Sequence, residues 1–341
     1  MKKLFVSLLC AALTLSLFSA CSKPTPPSNN ASSNSSGSGD ASGLDYPKGT
    51  VTVIVPFDPG GSSDLSCRAI MSKMEKIIGK PIKVDNISGA NGLTGTTSMV
   101  KSDPDGYTLA WLASRTNMPE MYSAKPPYTS DDLVAISEGV VTPGAVVVRA
   151  DSGIETFDEL IEYIKANPGV KYGHSGRGNN THLSAVLLDK TYDLGLVDVP
   201  FEGDTNAALA LLRGDVMFTF CAANTVVQQV EAGEVKVLAV QAGSRIAMYP
   251  DIPLFQETNY PIPGIASYIG LFAPAGTPDE VIKFLDEAMA EVMKDEELVQ
   301  TLADLGFTVE YKDRNAFQTE TIDVFYEEIS PIIKDSGLYE E

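Results

Sequence analysis

The stretch VTVIVPFDPGGSSD, residues 51–64, decides how the rest of the chain is read. Its first five residues are mostly β-branched and are stopped by Pro56, the pattern of a buried strand. Gly60 and Gly61 follow, then Ser62, Ser63 and Asp64. From there Leu65, Met71, Met74 and Ile78 recur at helical spacing until Gly79 closes the helix. A strand that feeds a helix through a glycine turn is the building unit of parallel α/β sheets. The same letters describe an anion site: glycine admits a ligand close to the backbone, serine caps, and the helix start points free N–H groups at one place. A plain turn with a serine cap would carry the same residues.

Outward from this unit the alternation continues. TLAWL (108–112), GAVVV (144–148), KYGHS (171–175), LVDVP (196–200), VMFTF (216–220) and VKVLAV (235–240) read as strands between amphipathic stretches. Thr156–Glu159 and Thr277–Glu280 read as capping boxes, the second opening a helix to about Met293. No internal repeat stands out. The expectation is an α/β protein of two lobes built on parallel sheets, and ligands in such sheets bind at strand-to-helix loops.

Three further loops of that kind carry chemistry. ASRTN (113–117) presents Arg115, able to clamp a carboxylate, with Thr116 and Asn117; a solvated surface arginine is the plainer reading. HSGRGNNTH (174–182) offers Ser175, Gly176, Gly178, Asn179, Asn180 and Thr181 at a second helix start. PFEGDTN (200–206) adds Phe201 as a wall, Glu202, and Gly203 for backbone access. Nucleotide cradles of the GxxxxGK[ST] or GxGxxG type are absent, and Ser175 lacks the second glycine of a nucleophile elbow. His174 and His182 are the two histidines of the chain, without a cysteine or carboxylate at ligand spacing, so no metal is expected. Polar, anion-friendly loops without an activated nucleophile suit a binding protein that needs no cofactor. A hydrolase using Ser62 or Ser175 is the weaker alternative.

The N-terminus sets the compartment. Lys2 and Lys3 precede an apolar run, Leu4–Ala20, too short to span comfortably, which ends in Phe18-Ser19-Ala20-Cys21. That ending resembles a bacterial lipobox, with Phe18 where Leu is usual, and implies a signal peptide over 1–20 and a lipidated Cys21. An ordinary signal peptide cleaved near Ala20 is the alternative. Residues 22–43 are rich in Ser, Asn, Gly and Pro and read as a flexible tether, making 21–45 anchor and tether. Of the four cysteines, Cys67 and Cys221 remain in the body, either as a disulfide or as two buried thiols. The formal charge is −20, and −22 once Lys2 and Lys3 are gone. So acidic a surface argues against nucleic acid and charge-driven membrane binding, and its field would slow the encounter with an anion at low salt.

With these loops in place, the chain resembles the substrate-binding proteins of the tripartite tricarboxylate transporter family, also called the Bug family. The resemblance rests on an ordered set: Tyr46-Pro47, VPFDPGGSSD (55–64), PDGYTL (104–109), YGHSGRGNNTHL (172–183), VPFEGDTNAAL (199–209), LFAPAGTP (271–278) and LADLGF (302–307). It implies a type II periplasmic-binding fold, with lobe I over 46–145 plus 266–341 and lobe II over 146–265, closing on a ligand in the cleft. It also implies a grip on a carboxylate from Phe57, Gly60, Gly61, Ser62, Ser63 and Asp64 on one side and from Ser175, Gly178, Asn179, Asn180 and Thr181 on the other. Phe201-Glu202-Gly203-Asp204 stands where members commonly carry Tyr-Lys-Gly-Gly, and Cys221 replaces a family Asp. Arg115 stands where small residues are usual and favours a ligand with an extra acid; Glu202 would tolerate an ammonium or hydroxyl near one end.

The expected protein is therefore an exported, lipid-anchored, monomeric receptor for a small organic anion, most simply a di- or tricarboxylate. It would face the periplasmic or extracellular side and deliver its ligand to the membrane permease subunits of a tripartite transporter. A sensor ectodomain of the same fold and a receptor for an amino or aromatic acid are the alternatives.

Overall fold

Strand β1 (Val51–Val55) is buried along nearly its whole length and pairs in parallel with β2 (Ile82–Asn86) on one side and β3 (Thr108–Ala113) on the other. Helix α1 (Ser62–Ile78) connects β1 to β2 and lays Cys67, Ile70, Met71 and Met74 against the sheet. Gly79 ends it in the left-handed conformation, where only glycine is free of strain. Helix α2 (Leu93–Val100) leads into β3. The computed structural model describes residues 44–341 apart from 244, 263, 264, 266 and 341, so the signal segment, Cys21 and nearly all of the tether lie outside the described residues.

The chain then crosses from one sheet to the other. Strand β4 (Leu133–Thr142) belongs to the first sheet, and after Pro143 the chain continues as β5 (Gly144–Arg149) in a second. That sheet is completed through α3 (Phe157–Ala166), β6 (Lys171–His174), α4 (Asn180–Tyr192), β7 (Val197–Pro200), α5 (Asp204–Arg213), β8 (Phe218–Ala222), α6 (Val227–Glu231) and β9 (Val235–Gln241). The return lays β10 (Ser267–Pro274) back into the first sheet, followed by α7 (Asp279–Val292), α8 (Glu296–Asp304) and β11 (Thr308–Lys312). A short α9 (Arg314–Ala316) runs through the π-type turn Phe317–Ile322 into α10 (Asp323–Asp335).

The sheet orders are β11-β4-β10-β3-β1-β2 and β7-β6-β8-β5-β9. Both contain three parallel strands with the first of them in the middle, and then a strand of opposite sense, β10 or β5. The sheets are thus mixed and not purely parallel, because the crossing strands enter them backwards. The repeat that the sequence does not display is present as topology. Apolar clusters cover both faces of each sheet, and Leu183 of α4 joins one of those on the first sheet, so two lobes with adjoining cores result.

The Thr156–Glu159 capping box forms, with the Glu159 N–H donating to the Thr156 hydroxyl at 3.1 Å. The one expected at Thr277–Glu280 does not: Pro278 is the cap residue, and the Thr277 hydroxyl donates to the Pro274 carbonyl at 2.8 Å. The strand expected over 216–220 begins two residues later, because Val216 and Met217 still belong to the turn out of α5. Cys67 and Cys221 are free and buried, one under each sheet.

Candidate ligand-binding site

The β1–α1 turn is held by a carboxylate. Asp64 lies in the first turn of α1 and is 3% exposed. Its Oδ2 accepts the Gly60 N–H at 2.9 Å, while Oδ1 accepts from Arg68 Nε at 2.9 Å and Asn86 Nδ2 at 2.9 Å. Burial alone would raise this carboxyl, but the hydrogen bonds from Arg68, Gly60 and Asn86 outweigh it and keep it below the usual carboxylate range. Both oxygens are thereby turned onto the protein. Asn86 also donates to the Phe57 carbonyl at 3.0 Å, tying the turn to β2. Gly60 has φ of +82°, and the Leu65 N–H is the first to find an intrahelical partner, Gly61 O at 2.9 Å. The N–H groups of Ser62 and Ser63 therefore start the helix without one.

Sequence reasoning missed the segment next to this turn. Gly89, Ala90, Asn91 and Gly92 all have positive φ, from +49° to +129°. Ala90 and Asn91 hold the left-handed conformation at a cost that glycine would not incur, a kind of strain that clusters at ligand clamps. A Cβ on Gly92 would lie 2.5 Å from Thr116 Cγ2 and 3.1 Å from Phe57 Cζ, so the segment, the β1–α1 turn and the end of β3 meet there. The glycines at 89, 92 and 95 were the available signal.

At the end of β3 the three expected residues part ways. Thr116 and Asn117 are buried and their polar atoms are engaged within the first lobe: Thr116 Oγ1 donates to Ala113 O at 2.8 Å, and Asn117 Nδ2 to Tyr268 OH at 3.0 Å. Arg115 reaches the other lobe. Its guanidinium lies 4.2 Å over the Tyr122 ring and donates to the Arg177 carbonyl at 3.1 Å. Among the described residues no carboxylate stands within ion-pair distance of it, and burial pushes its pKa down. Ser114, which the sequence reading passed over, donates to Asn180 Oδ1 at 3.1 Å and leaves Asn180 Nδ2 buried and unpartnered. Gly178 is required at the junction: with φ of +76°, a Cβ there would fall 2.1 Å from Arg115 Nη1.

The β6–α4 turn is held by imidazoles. His174 Nδ1 accepts the Gly176 N–H at 3.2 Å and His182 Nδ1 accepts the Gly178 N–H at 3.0 Å, with the two rings stacked at 4.2 Å between centroids. Both rings are buried; burial pushes both pKa values down, that of His182 to about 4 with His174 beside it as a further cause. These rings and Asp198 form a cluster of metal-ligand type. Its chemistry speaks against a metal, because each neutral ring that accepts at Nδ1 carries its proton on Nε2, the remaining atom a metal would need. Ser175 Oγ lies 2.9 Å from Thr181 Oγ1, and Asn179 Nδ2 donates to Ser175 O at 3.0 Å.

At the β7–α5 turn, Phe201 packs over Gly173 and Glu202 is exposed. Asp204, the next acid along, faces inward: the Ser175 hydroxyl and the Ala222 N–H act on its carboxyl, Cys221 is its neighbour, and its Oδ1 is buried without a partner. Cys221, on β8, thus has an acid beside it that comes from the start of α5.

The two lobes thus meet where glycine-turn helix starts flank the Arg115 guanidinium. A profile described as the tripartite tricarboxylate transporter family receptor matches residues 66–338. The chain belongs to this family. BugT of Bordetella pertussis is 30% identical over 267 residues, covering 77% of this chain and 82% of that protein. The solved structure of the periplasmic binding protein BugD superposes with a TM-score of 0.75 at 26% identity, covering 87% of this chain and all of that one (100%). MatC from Rhodopseudomonas palustris with bound malate gives a TM-score of 0.71 at 28% identity, covering 85% and 99%. The family receptor is an exported solute-binding protein of the two-lobe periplasmic-binding fold and not an enzyme.

Proposed function

We propose that this receptor captures a small dicarboxylate between its lobes, 46–145 with 266–341 and 146–265, and hands it to the permease subunits of a tripartite transporter. In this reading a lipid on Cys21 holds it to the membrane. The observation that carries the ligand class is Arg115, a half-buried guanidinium between the lobes that has a carbonyl and a ring for company and, among the described residues, no carboxylate within ion-pair distance, Glu340 acting on it only from farther away. A carboxylate completes it with a charge-assisted pair worth about 1.5–3 kcal/mol. The helix starts at Ser62–Ser63 and Asn180–Thr181, with the backbone at Gly60, Gly61 and Gly178, supply N–H donors for a second carboxylate without a cluster of lysines. Phe57, Gly176, Asn179, Phe201 and Gly203 shape the walls, and Asp64 braces its turn. The malate found in the related MatC is a ligand of this size and charge.

Ligand bound at both lobes favours the closed state by its differential affinity for it. The test is a thermal-shift and calorimetry panel of malate, succinate, citrate and aromatic acids on the full chain. A ligand at about 100 times its Kd adds roughly 2.7 kcal/mol of apparent stability. Arg115→Ala should weaken a diacid by at least about 1.5 kcal/mol. A panel that leaves the midpoint unmoved refutes the ligand class, and an unchanged diacid affinity in Arg115→Ala removes that residue from the grip. Cys21→Ser should release the protein from the membrane fraction.

A further inference from the structure

The ring under Arg115 is set in place by the far end of the chain. Tyr122 follows the short turn Pro119–Met121, against which α10 packs. Beyond α10 the chain returns beside it. The Glu340 N–H donates to the Tyr122 carbonyl at 2.8 Å, the Ala124 N–H donates to the Glu340 carbonyl at 2.9 Å, and Ser123 and Glu340 pair as a parallel bridge. Leu338 and Tyr339 pack on the apolar cluster that holds Met118, Met121 and Tyr122. Residues 338–340 thus lie across 122–124 as a strap, fastened by two backbone bonds and two side chains.

The Tyr122 ring stands where the lobes meet. The Arg115 guanidinium lies 4.2 Å over it, and a Cβ on Gly178 of the second lobe would fall 3.0 Å from its Cε1. Tyr122 is buried and its hydroxyl has no partner, so its contribution here is the ring and not a hydrogen bond. A long side chain with no carboxylate in ion-pair reach keeps one direction only while a surface holds it. Fixing it beforehand lowers the ordering cost of binding.

Resting on the carboxylate-receptor reading above, we propose that residues 338–340 are positioning residues of the site: the strap holds Tyr122, and Tyr122 holds Arg115 in the direction from which it meets a carboxylate. One charge runs the other way. Glu340 acts on Arg115 from beyond ion-pair distance, and the same carboxylate repels an incoming anion. Removing the strap therefore separates position from charge by sign. Loss of position weakens a diacid, whereas loss of the Glu340 charge strengthens it.

The test ends the chain after Ser336, which keeps α10, and compares it with the full chain for malate and succinate by calorimetry. Both diacids should bind the shortened chain about tenfold more weakly or worse. There Arg115→Ala should cost less than about threefold further, because the guanidinium is already out of place. Tyr122→Leu should reproduce both results at full length, which keeps the proposal testable if the shortened chain does not fold, and Tyr122→Phe should restore the affinity by restoring the ring. Diacids held as tightly or tighter without the strap, or losses from the cut and from Arg115→Ala that multiply, overturn the strap and leave the receptor reading standing. Hydrogen exchange of the ligand-free protein reads the same contact without a ligand. Removing the strap, or the ring in Tyr122→Leu, should speed exchange at Gly178 and Leu183 of the second lobe as well as around Tyr122. An effect confined to residues 118–124 overturns the proposal. If neither diacid binds the full chain, the receptor reading fails for these ligands and the exchange result alone decides the strap.

Discussion

Two buried groups in the second lobe respond to acid in opposite senses, and the perturbation that separates them is Asp204→Asn. His182 in the folded chain titrates at about 4 against an ordinary 6.5, so between those values the unfolded chain binds the proton and stability falls as pH falls. At about 1.4 kcal/mol per pH unit, bringing the pH from 8 to 5 costs the fold about 2 kcal/mol from His182. His174, also held down by burial, adds to this in the same direction. Asp204 in the folded chain titrates at about 6 against an ordinary 3.8, so here the folded chain takes the proton first and stability rises as pH falls. Its contribution over the same interval is a gain of about 1.4 kcal/mol. The Asp64 carboxyl, held below the usual range, yields its share only in stronger acid. The wild-type protein should therefore lose less between pH 8 and pH 5 than His182 and His174 alone would cost it, and Asp204→Asn should lose about 1.4 kcal/mol more than wild type. Urea unfolding at the two pH values, with the slope checked for constancy, reads this directly. His182→Asn offers Gly178 an acceptor in place of Nδ1 without titrating, and should flatten the Asp204→Asn profile. Equal losses in wild type and Asp204→Asn would refute the reasoning, as would a profile indifferent to His182→Asn.

Gly92→Ala should destabilise the protein by more than about 1 kcal/mol, because it combines a φ of +92° with a Cβ 2.5 Å from Thr116; an unchanged midpoint would remove this segment from the tightly packed part of the first lobe. Cys67 and Cys221, buried in separate lobes with thiol pKa values raised by burial, should resist thiol reagents in the native protein and react in denaturant, and reductant should leave Tm unchanged.

The strands that the sequence revealed are those whose neighbours supply nothing unusual. VTVIV and VKVLAV are buried along most of their length and read as largely apolar runs, broken only by the half-buried Thr52 and Lys236. IKVDN was not visible because β2 is an edge strand, and Lys83 and Asp85 on it pair with each other at 3.0 Å. LVAISEGVVT was not visible because Glu138 interrupts it. That acid is 1% exposed and is tolerated only because Lys312 at 3.1 Å and Thr321 at 2.7 Å reach it from the far end of the chain. In the site, glycine turns announced the helix starts, whereas the roles of Asp64 and Asp204 could not be separated. Both are acids in the first turn of a helix after glycine, which a sequence reads alike. What distinguishes them is the presence of Arg68 and Asn86 around one and, among the described residues, the absence of a cation within ion-pair distance of the other.

The two helix starts that face the ligand in this reading occupy equivalent places, each after the first of its sheet's three parallel strands, but they are secured by different chemistry. In the first lobe a carboxylate below its usual range accepts the Gly60 N–H, a hold that survives until Asp64 is protonated in strong acid. In the second lobe two imidazoles accept the N–H groups of Gly176 and Gly178, and an imidazole that gains a proton at Nδ1 can no longer accept. The second lobe's half of the grip therefore gives way near pH 4, where His182 gains its proton, and the first lobe's half only in stronger acid. Arg115 sits at the boundary, anchored in the first lobe and resting on Gly178 of the second. Loosening the β6–α4 turn thus removes the surface against which the guanidinium is positioned, so acid near pH 4, where His182 gains its proton, should weaken the ligand through the second lobe, while Asp64 keeps the first lobe's turn in place until stronger acid.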